Sequence, residues 1–250
     1  MSTSSPQSTS TSTGSIALVG PGRLGRVLAR ALTASGCEVH GPVGRTDAVP
    51  AADVVLLCVP DEQITTAAAK ARQVPGALVG HTSGATGLDD VDFGIHPLQT
   101  ITGDESGDAF PGAACAVAGR TDAALQAAVL VAGMIGAHPF EIADEQRAGY
   151  HAAASLASNA LVALLDAAER AADAAGVPDS RTALAPLVRR TVENWIATGA
   201  AALTGPVVRG DERTVARQRA ALQDSTPDLV PLFDELTTRM RVLAAERDTR

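Results

Sequence analysis

Residues 16–36 read IALVGPGRLGRVLARALTASG, and the fold of the first half turns on them. IALV is a short apolar run of buried-strand type. RLGRVLARALTA then places its apolar residues at helical spacing and stops before a C-cap glycine, Gly36. Between the two lies GPGRLG, a G-x-G-x-x-G turn of the kind that joins strand to helix in dinucleotide-binding sheets. Gly20 permits the tight turn, Gly22 lets the backbone approach a pyrophosphate, and Gly25 lets the helix pack closely on the strand. Unpaired amides at the helix start attract the anion. Arg23 and Leu24 complete the loop as cofactor-facing positions.

Outward from this unit the strand and helix signals alternate. CEVHGPVG and ADVVLLCVP read as the second and third strands, and DEQITTAAAKARQV as the helix that follows, with Asp61 expected as its N-cap. ALVGH, FGIHP, GAACAVAG and AHPFEI read as further strands, with a helix near residues 122–135. After Glu141 the strand signals stop. Helices are predicted over 144–175, 181–199, 211–222 and 227–246, with Asp211 capping the third. The expected fold is α/β, a Rossmann-like, mostly parallel sheet over residues 15–141, with a second, all-helical C-terminal domain over 142–250. The opening fourteen residues, rich in Ser and Thr, are expected to be a disordered tail.

Bulk composition narrows the function. The chain is 46% hydrophobic, ample for a core, and its net charge of −8 comes from dispersed acids. No basic stripe offers itself to nucleic acid or to a membrane surface, and the apolar runs are broken before bilayer-spanning length. Cys37, Cys58 and Cys115 are too scattered for a disulfide framework or a zinc site, so no metal is expected. With no secretory signal, the reading is a cytoplasmic protein that acts on small molecules.

At the end of the second strand, where NAD-binding proteins usually carry an acid for the ribose diol, the chain has GPVGRT. Gly44, Arg45 and Thr46 occupy that place. A guanidinium without an acid favours the 2′-phosphate of NADP over NAD, unless Arg45 is an ordinary solvated charge. Val59 and Pro60, where the third strand ends, are expected as walls of the cofactor site. HTSGATG (81–87) and GIHPLQT (94–100) follow strands, so His81, Ser83, His96 and Gln99 should project at the carboxyl edge, where ligands bind. The plainer alternatives are a loop histidine bonded to a carbonyl and a serine that merely forms a turn.

In GYHAAASLASNA (149–160), His151, Ser155 and Asn159 recur at four-residue spacing. On one continuous helix they would share a face about 12 Å long. They are candidate catalytic residues, or else they satisfy one another at a helix contact. Arg209, in TGPVVRGD, has the bidentate fork that holds a carboxylate, or it pairs with Asp211 to fix the loop. Trp195, the only tryptophan, is expected as a core anchor.

In that order, GPGRLG, CVPD, HTSGA, HPLQT, YHAAASLASN and LTGPVVRGD resemble bacterial proteins that pair a Rossmann-like NADP domain with a helical domain of unknown function, number 2520. The resemblance spans residues 14 to 245. Such proteins look like distant relatives of the 6-phosphogluconate dehydrogenase superfamily, and some serve as an alternative ketopantoate reductase. The resemblance implies NADPH-dependent reduction of a small 2-oxoacid, 2-dehydropantoate, to pantoate on the way to coenzyme A. It also implies a homodimer formed through the helical domain. Many superfamily enzymes use a lysine on the first helix after the Rossmann domain as the acid. The one lysine here, Lys70, lies in the crossover helix after the third strand, and His151 stands where that acid would be expected. His151 would then donate the proton, with Asn159, Ser155 and Ser83 positioning the oxygen, and His96 and Arg209 on the substrate side. An imine reductase of the pyrroline-carboxylate type and a non-catalytic nucleotide sensor are the alternatives.

Overall fold

The computed structural model describes residues 14–248. The Ser/Thr-rich segment expected over residues 1–14 lies, but for Gly14, outside them. The chain divides into two compact units, one ending at Ala157 and one beginning at Ser158.

In the first unit, β1 (Ile16–Val19) is buried on both faces. Ile16 and Leu18 join Val27, Leu28 and Leu32 of α1 (Arg23–Ala34) in one core cluster. Ala17 and Val19 join Ile64 and Ala68 of α2 (Ile64–Ala71) in the other. This two-sided burial explains an apolar run without polar alternation. The other strands are β2 (Val39–Val43), β3 (Val54–Leu57), β4 (Leu78–His81), β5 (Phe93–Pro97), β6 (Ala114–Gly119) and β7 (His138–Glu141). They form one sheet in the order β2-β1-β3-β4-β5-β6-β7, in which only β5 and β6 pair antiparallel. α3 (Asp122–Met134) packs on β5 and β6. The strand order reverses at β1, which has β2 on one side and β3 on the other. The crevice at their carboxyl ends is therefore the switch point where such sheets bind ligands.

Strands end at Glu141, but the compact unit runs on through α4 (Arg147–Ala157), whose first turns are held by buried polar contacts with the sheet. Two expectations change here. Asp61 is not the cap of α2: it lies in a short 3-10 turn, Asp61–Gln63, and its carboxylate accepts a bond from Ser83 instead. Nor do His151, Ser155 and Asn159 share one continuous helix. α4 ends at Ala157, Ser158 (φ −118°, ψ −76°) is a turn residue between helices, and Asn159 opens α5 (Asn159–Ala174). Serine and asparagine favour such breaks because their side chains compete for backbone hydrogen bonds.

The second unit comprises α5, α6 (Ser180–Thr198), α7 (Glu212–Ser225) and α8 (Val230–Asp248). Asp211 caps α7 as expected, accepting the Thr214 amide at 3.0 Å. Its buried apolar set is small: Ala167, Val215, Leu229 and Val230. Trp195, expected in a core, is 61% exposed, beside Ile196 at 72% and with Leu187 further along α6 at 64%. All three are exposed apolar side chains of α6, with Leu187 and Ile196 on opposite sides of the helix. One stretch departs from the expectation that no apolar run reaches bilayer length: within Asp144–Ala174 an 18-residue window has a mean hydropathy of 1.2, enough by length and composition alone. The same stretch breaks at Ser158 and carries the buried Arg147.

Candidate functional site

The glycine loop supplies the site's foundation. Gly20 has φ +108°, and a Cβ there would lie 2.3 Å from the Cys58 carbonyl oxygen. A Cβ at Gly25 would lie 2.0 Å from the Gly20 oxygen, so the close seating of α1 on β1 requires glycine. A Cβ at Gly22 would meet nothing within 4 Å. Its surroundings are open, and α1 begins without a side-chain cap and without an acid in its first turn. Free amides facing open space fit a pyrophosphate.

Two cavities meet at this loop, sharing Gly22, Cys58, Val59 and Pro60. One, of about 420 Å³, runs toward the end of β2 and is lined by Arg45, Asp47 and Lys70. Thr46 lies in the same turn as Arg45 but does not line it. The acid that the sequence reading missed is Asp47, whose carboxylate accepts the Gly44 amide at 2.7 Å. Lys70 Nζ donates to the Arg45 carbonyl at 2.6 Å, which brings the sole lysine to this end of the cleft.

The other cavity, of about 450 Å³, is lined by Arg23, Leu24, Asp61, Ser83, His96 and His151, with Gly84 and Gln99 beside them. Arg23 is exposed there, its stem packed against Gly103. Gln99 donates to the Ala109 carbonyl at 3.0 Å. The His96 and His151 rings stand edge to face with centroids 5.5 Å apart. A Cβ on Gly84 would lie 2.6 Å from His151 Nδ1 and 2.9 Å from His96 Nε2, so only glycine lets both rings close over this loop.

Behind the cavity the loop 81–88 is held from several sides. The Ser83 hydroxyl donates to Asp61 at 2.9 Å and accepts the Ala85 and Thr86 amides, so it is engaged within the turn. His81, fully buried, accepts the Ser83 amide at Nδ1, and its Nε2 lies 3.0 Å from the Gly87 carbonyl. Its imidazole fixes the loop, and burial pushes its pKa down. Arg147, 1% exposed, donates to Asp144 at 2.8 Å and reaches the Ser83 carbonyl at 3.4 Å. Asp144 in turn accepts the Leu88 amide. Burial pushes the Asp144 carboxyl up, but the Leu88 amide and the Arg147 guanidinium outweigh it and hold the group below the usual carboxylate range.

Tyr150 lies beside His96, its hydroxyl 2.7 Å from Nδ1 and also donating to the His96 carbonyl at 3.3 Å. The two rings are edge to face at 5.5 Å, and Phe140 abuts Tyr150 from the other side. Burial, then the neighbouring His151 and Arg147, lowers the His96 pKa to about 4. Burial raises the Tyr150 pKa to about 12. Both groups are neutral at pH 7.

Of the residues read from sequence, the structure gathers Gly20, Gly22, Arg23, Leu24, Gly25, Arg45, Val59, Pro60, Ser83, His96 and His151 along this cleft. Ser155 lies one turn beyond His151 on α4, half-buried and outside the lining. Asn159 and Arg209 belong to the second unit. Sequence reasoning missed Asp47, Arg147 and Tyr150. Arg147 is the true i−4 neighbour of His151, and Tyr150 is the chain's only tyrosine; both were visible signals. Among the described residues no cluster of side chains could hold a metal ion.

A glycine loop at the switch point of a mostly parallel sheet, followed by an all-helical half, defines a Rossmann-like dinucleotide-fold protein with a helical second unit. The chain belongs to the family described as a domain of unknown function, DUF2520, whose model matches residues 113–240, just over half of its 250 residues. No curated protein matches the sequence. Among solved structures it is similar to a Thermotoga maritima protein at 24% identity and TM-score 0.75, over 94% of this chain and all of that one. A candidate NADP oxidoreductase from Bacteroides fragilis matches at 21% identity and TM-score 0.74, over 91% of this chain and 98% of that one. An imine reductase from Myxococcus stipitatus, in complex with NADP+, matches at 14% and 0.63, over 93% and 94%. At these identities the shared property is the fold.

Proposed function

We propose that the protein is an NADPH-dependent reductase of a small 2-oxoacid, with 2-dehydropantoate as its substrate. The observation that carries the reading is the pair of cavities joined at the glycine loop, one with Arg45 and Lys70 beside the acids Asp47 and Glu62 at the β2 end, the other lined by two imidazoles. Gly20, Gly22 and the first amides of α1 would hold the pyrophosphate. Arg45 and Lys70 would hold the 2′-phosphate, since the Asp47 carboxylate is already bonded to the Gly44 amide. When bound, NADPH supplies a hydride to a carbonyl carbon.

The chain's own part is to receive the resulting negative charge. His151 is exposed and lines the cavity, and its imidazole can give a proton to the substrate oxygen. Arg23, which lines the same cavity, offers a guanidinium to the substrate carboxylate. Ser83 acts by shaping the loop, because its hydroxyl already bonds Asp61 and two amides. The proposed enzyme is cytoplasmic and a homodimer through the helical domain, in which exposed apolar side chains such as Trp195 and Ile196 would be covered. The substrate identity comes from the family resemblance of the motifs and stands on it.

A second reading, reduction of an imine, is favoured by Asp61: a carboxylate in the lining suits a protonated imine nitrogen. One assay separates the two. Purified protein is given 2-dehydropantoate, other 2-oxoacids and cyclic imines, each with NADPH and with NADH. NADPH oxidation with 2-dehydropantoate is expected, and replacing His151 by Ala should lower kcat about 100-fold or more while leaving NADPH affinity nearly unchanged. Turnover of imines alone moves the assignment to the second reading.

A further inference from the structure

Two imidazoles face one cavity, and the structure distinguishes their roles. The Tyr150 hydroxyl touches two groups of His96, the ring Nδ1 at 2.7 Å and the backbone carbonyl oxygen at 3.3 Å. A carbonyl oxygen can only accept, so that contact uses the one proton the phenol has. With the phenol proton directed at the carbonyl, the shorter contact runs from Nδ1–H to Oη. We propose that Tyr150 is a positioning residue that locks His96 in its Nδ1–H tautomer, leaving Nε2 as a bare acceptor at the substrate cavity.

The surroundings keep this arrangement neutral. The charged and titratable groups facing His96 are His151 and Arg147 on α4, His81 on β4 and Asp61 ahead of α2; the three basic groups oppose its protonation and only Asp61 favours it. Tyr150 itself is wedged between His96 and Phe140, so its hydroxyl has little freedom to turn away. Nε2 lies on the ring edge nearest Gly84, the side that His151 Nδ1 also approaches. An acceptor there cannot bond a keto oxygen. It can bond a hydroxyl or an N–H, so His96 suits the product alcohol or the amine, whereas His151 gives the proton. This assignment of roles rests on the reductase reading; the tautomer does not.

The test is ring-nitrogen NMR of uniformly 15N-labelled full-length protein at pH 7, without cofactor, with the His96 signals assigned by their loss in His96→Asn. The expected spectrum has His96 Nδ1 protonated and Nε2 unprotonated. In Tyr150→Phe, which keeps the ring and removes the hydroxyl, the His96 signals should move toward the Nε2–H form. Turnover in that variant should fall about tenfold, with NADPH affinity within about twofold of wild type. A wild-type His96 that carries its proton on Nε2 overturns the proposal, as does a Tyr150→Phe protein that keeps the Nδ1–H form. Should that variant not fold, the wild-type spectrum alone decides. Absence of any turnover would remove the reductase reading and leave the tautomer to be judged from the spectrum.

Discussion

At the scale of single residues, the cleft has charged side chains at one end and imidazoles at the other. Lys70 is the residue through which cofactor choice can be tested without disturbing the sheet. It is exposed on α2 and, among the described residues, donates to the Arg45 carbonyl, so replacing it with Gln should leave folding intact. Loss of one charged partner to a 2′-phosphate should weaken NADPH binding about tenfold and leave NADH binding within about twofold. Fluorescence titration with each nucleotide measures both. Equal weakening of the two would show that Lys70 supports the turn and makes no contact with the phosphate. Glycine acts at the opposite end through absence: the 2.6 Å and 2.9 Å approaches at Gly84 mean that a methyl group there would push the two histidines apart.

At the scale of elements, the legible parts of the sequence were those whose cause is local. The glycine loop is decided within six residues, by the φ of Gly20 and by the 2.0 Å that a Cβ at Gly25 would leave to the Gly20 oxygen. The strands announce themselves because two-sided burial demands uninterrupted apolar runs. The coupling of α4 to the loop after β4 was not legible. It depends on Arg147, an apparently ordinary charged residue, being carried under Ser83 by the register of strands far away in sequence. The helical stripe failed for a related reason: periodicity continues through Ser158, while the backbone does not. This coupling predicts a pH response. His96 is neutral in the fold down to pH about 4, whereas an unfolded histidine protonates near 6.5, so unfolding takes up a proton between those values. Stability is full above pH 6.5 and declines as pH falls toward 4, by about 1 to 3 kcal/mol from this group. The depressed carboxyl of Asp144 adds a loss of the same sign at lower pH. Thermal midpoints at pH 7 and pH 4.5 check this, together with hydrogen exchange along α4. A midpoint unchanged across the window contradicts it.

At the scale of the whole molecule, the two units differ in how completely each can bury itself. The sheet unit has a core on both faces of its strands. The helical unit has few buried apolar residues, and its ion pairs, such as Arg170–Asp228 and Arg219–Asp234, are exposed and screened by water. Its exposed apolar side chains, Trp195 and Ile196 among them, are those that the proposed second copy would cover. Because the chain holds a single indole, and that indole is among these exposed side chains, the protein contains its own optical gauge of assembly. Diluting it should red-shift the emission maximum as subunits part and water reaches Trp195, in step with a fall in sedimentation coefficient. An emission maximum that stays red and constant from micromolar to nanomolar concentration would mean that the chain works alone.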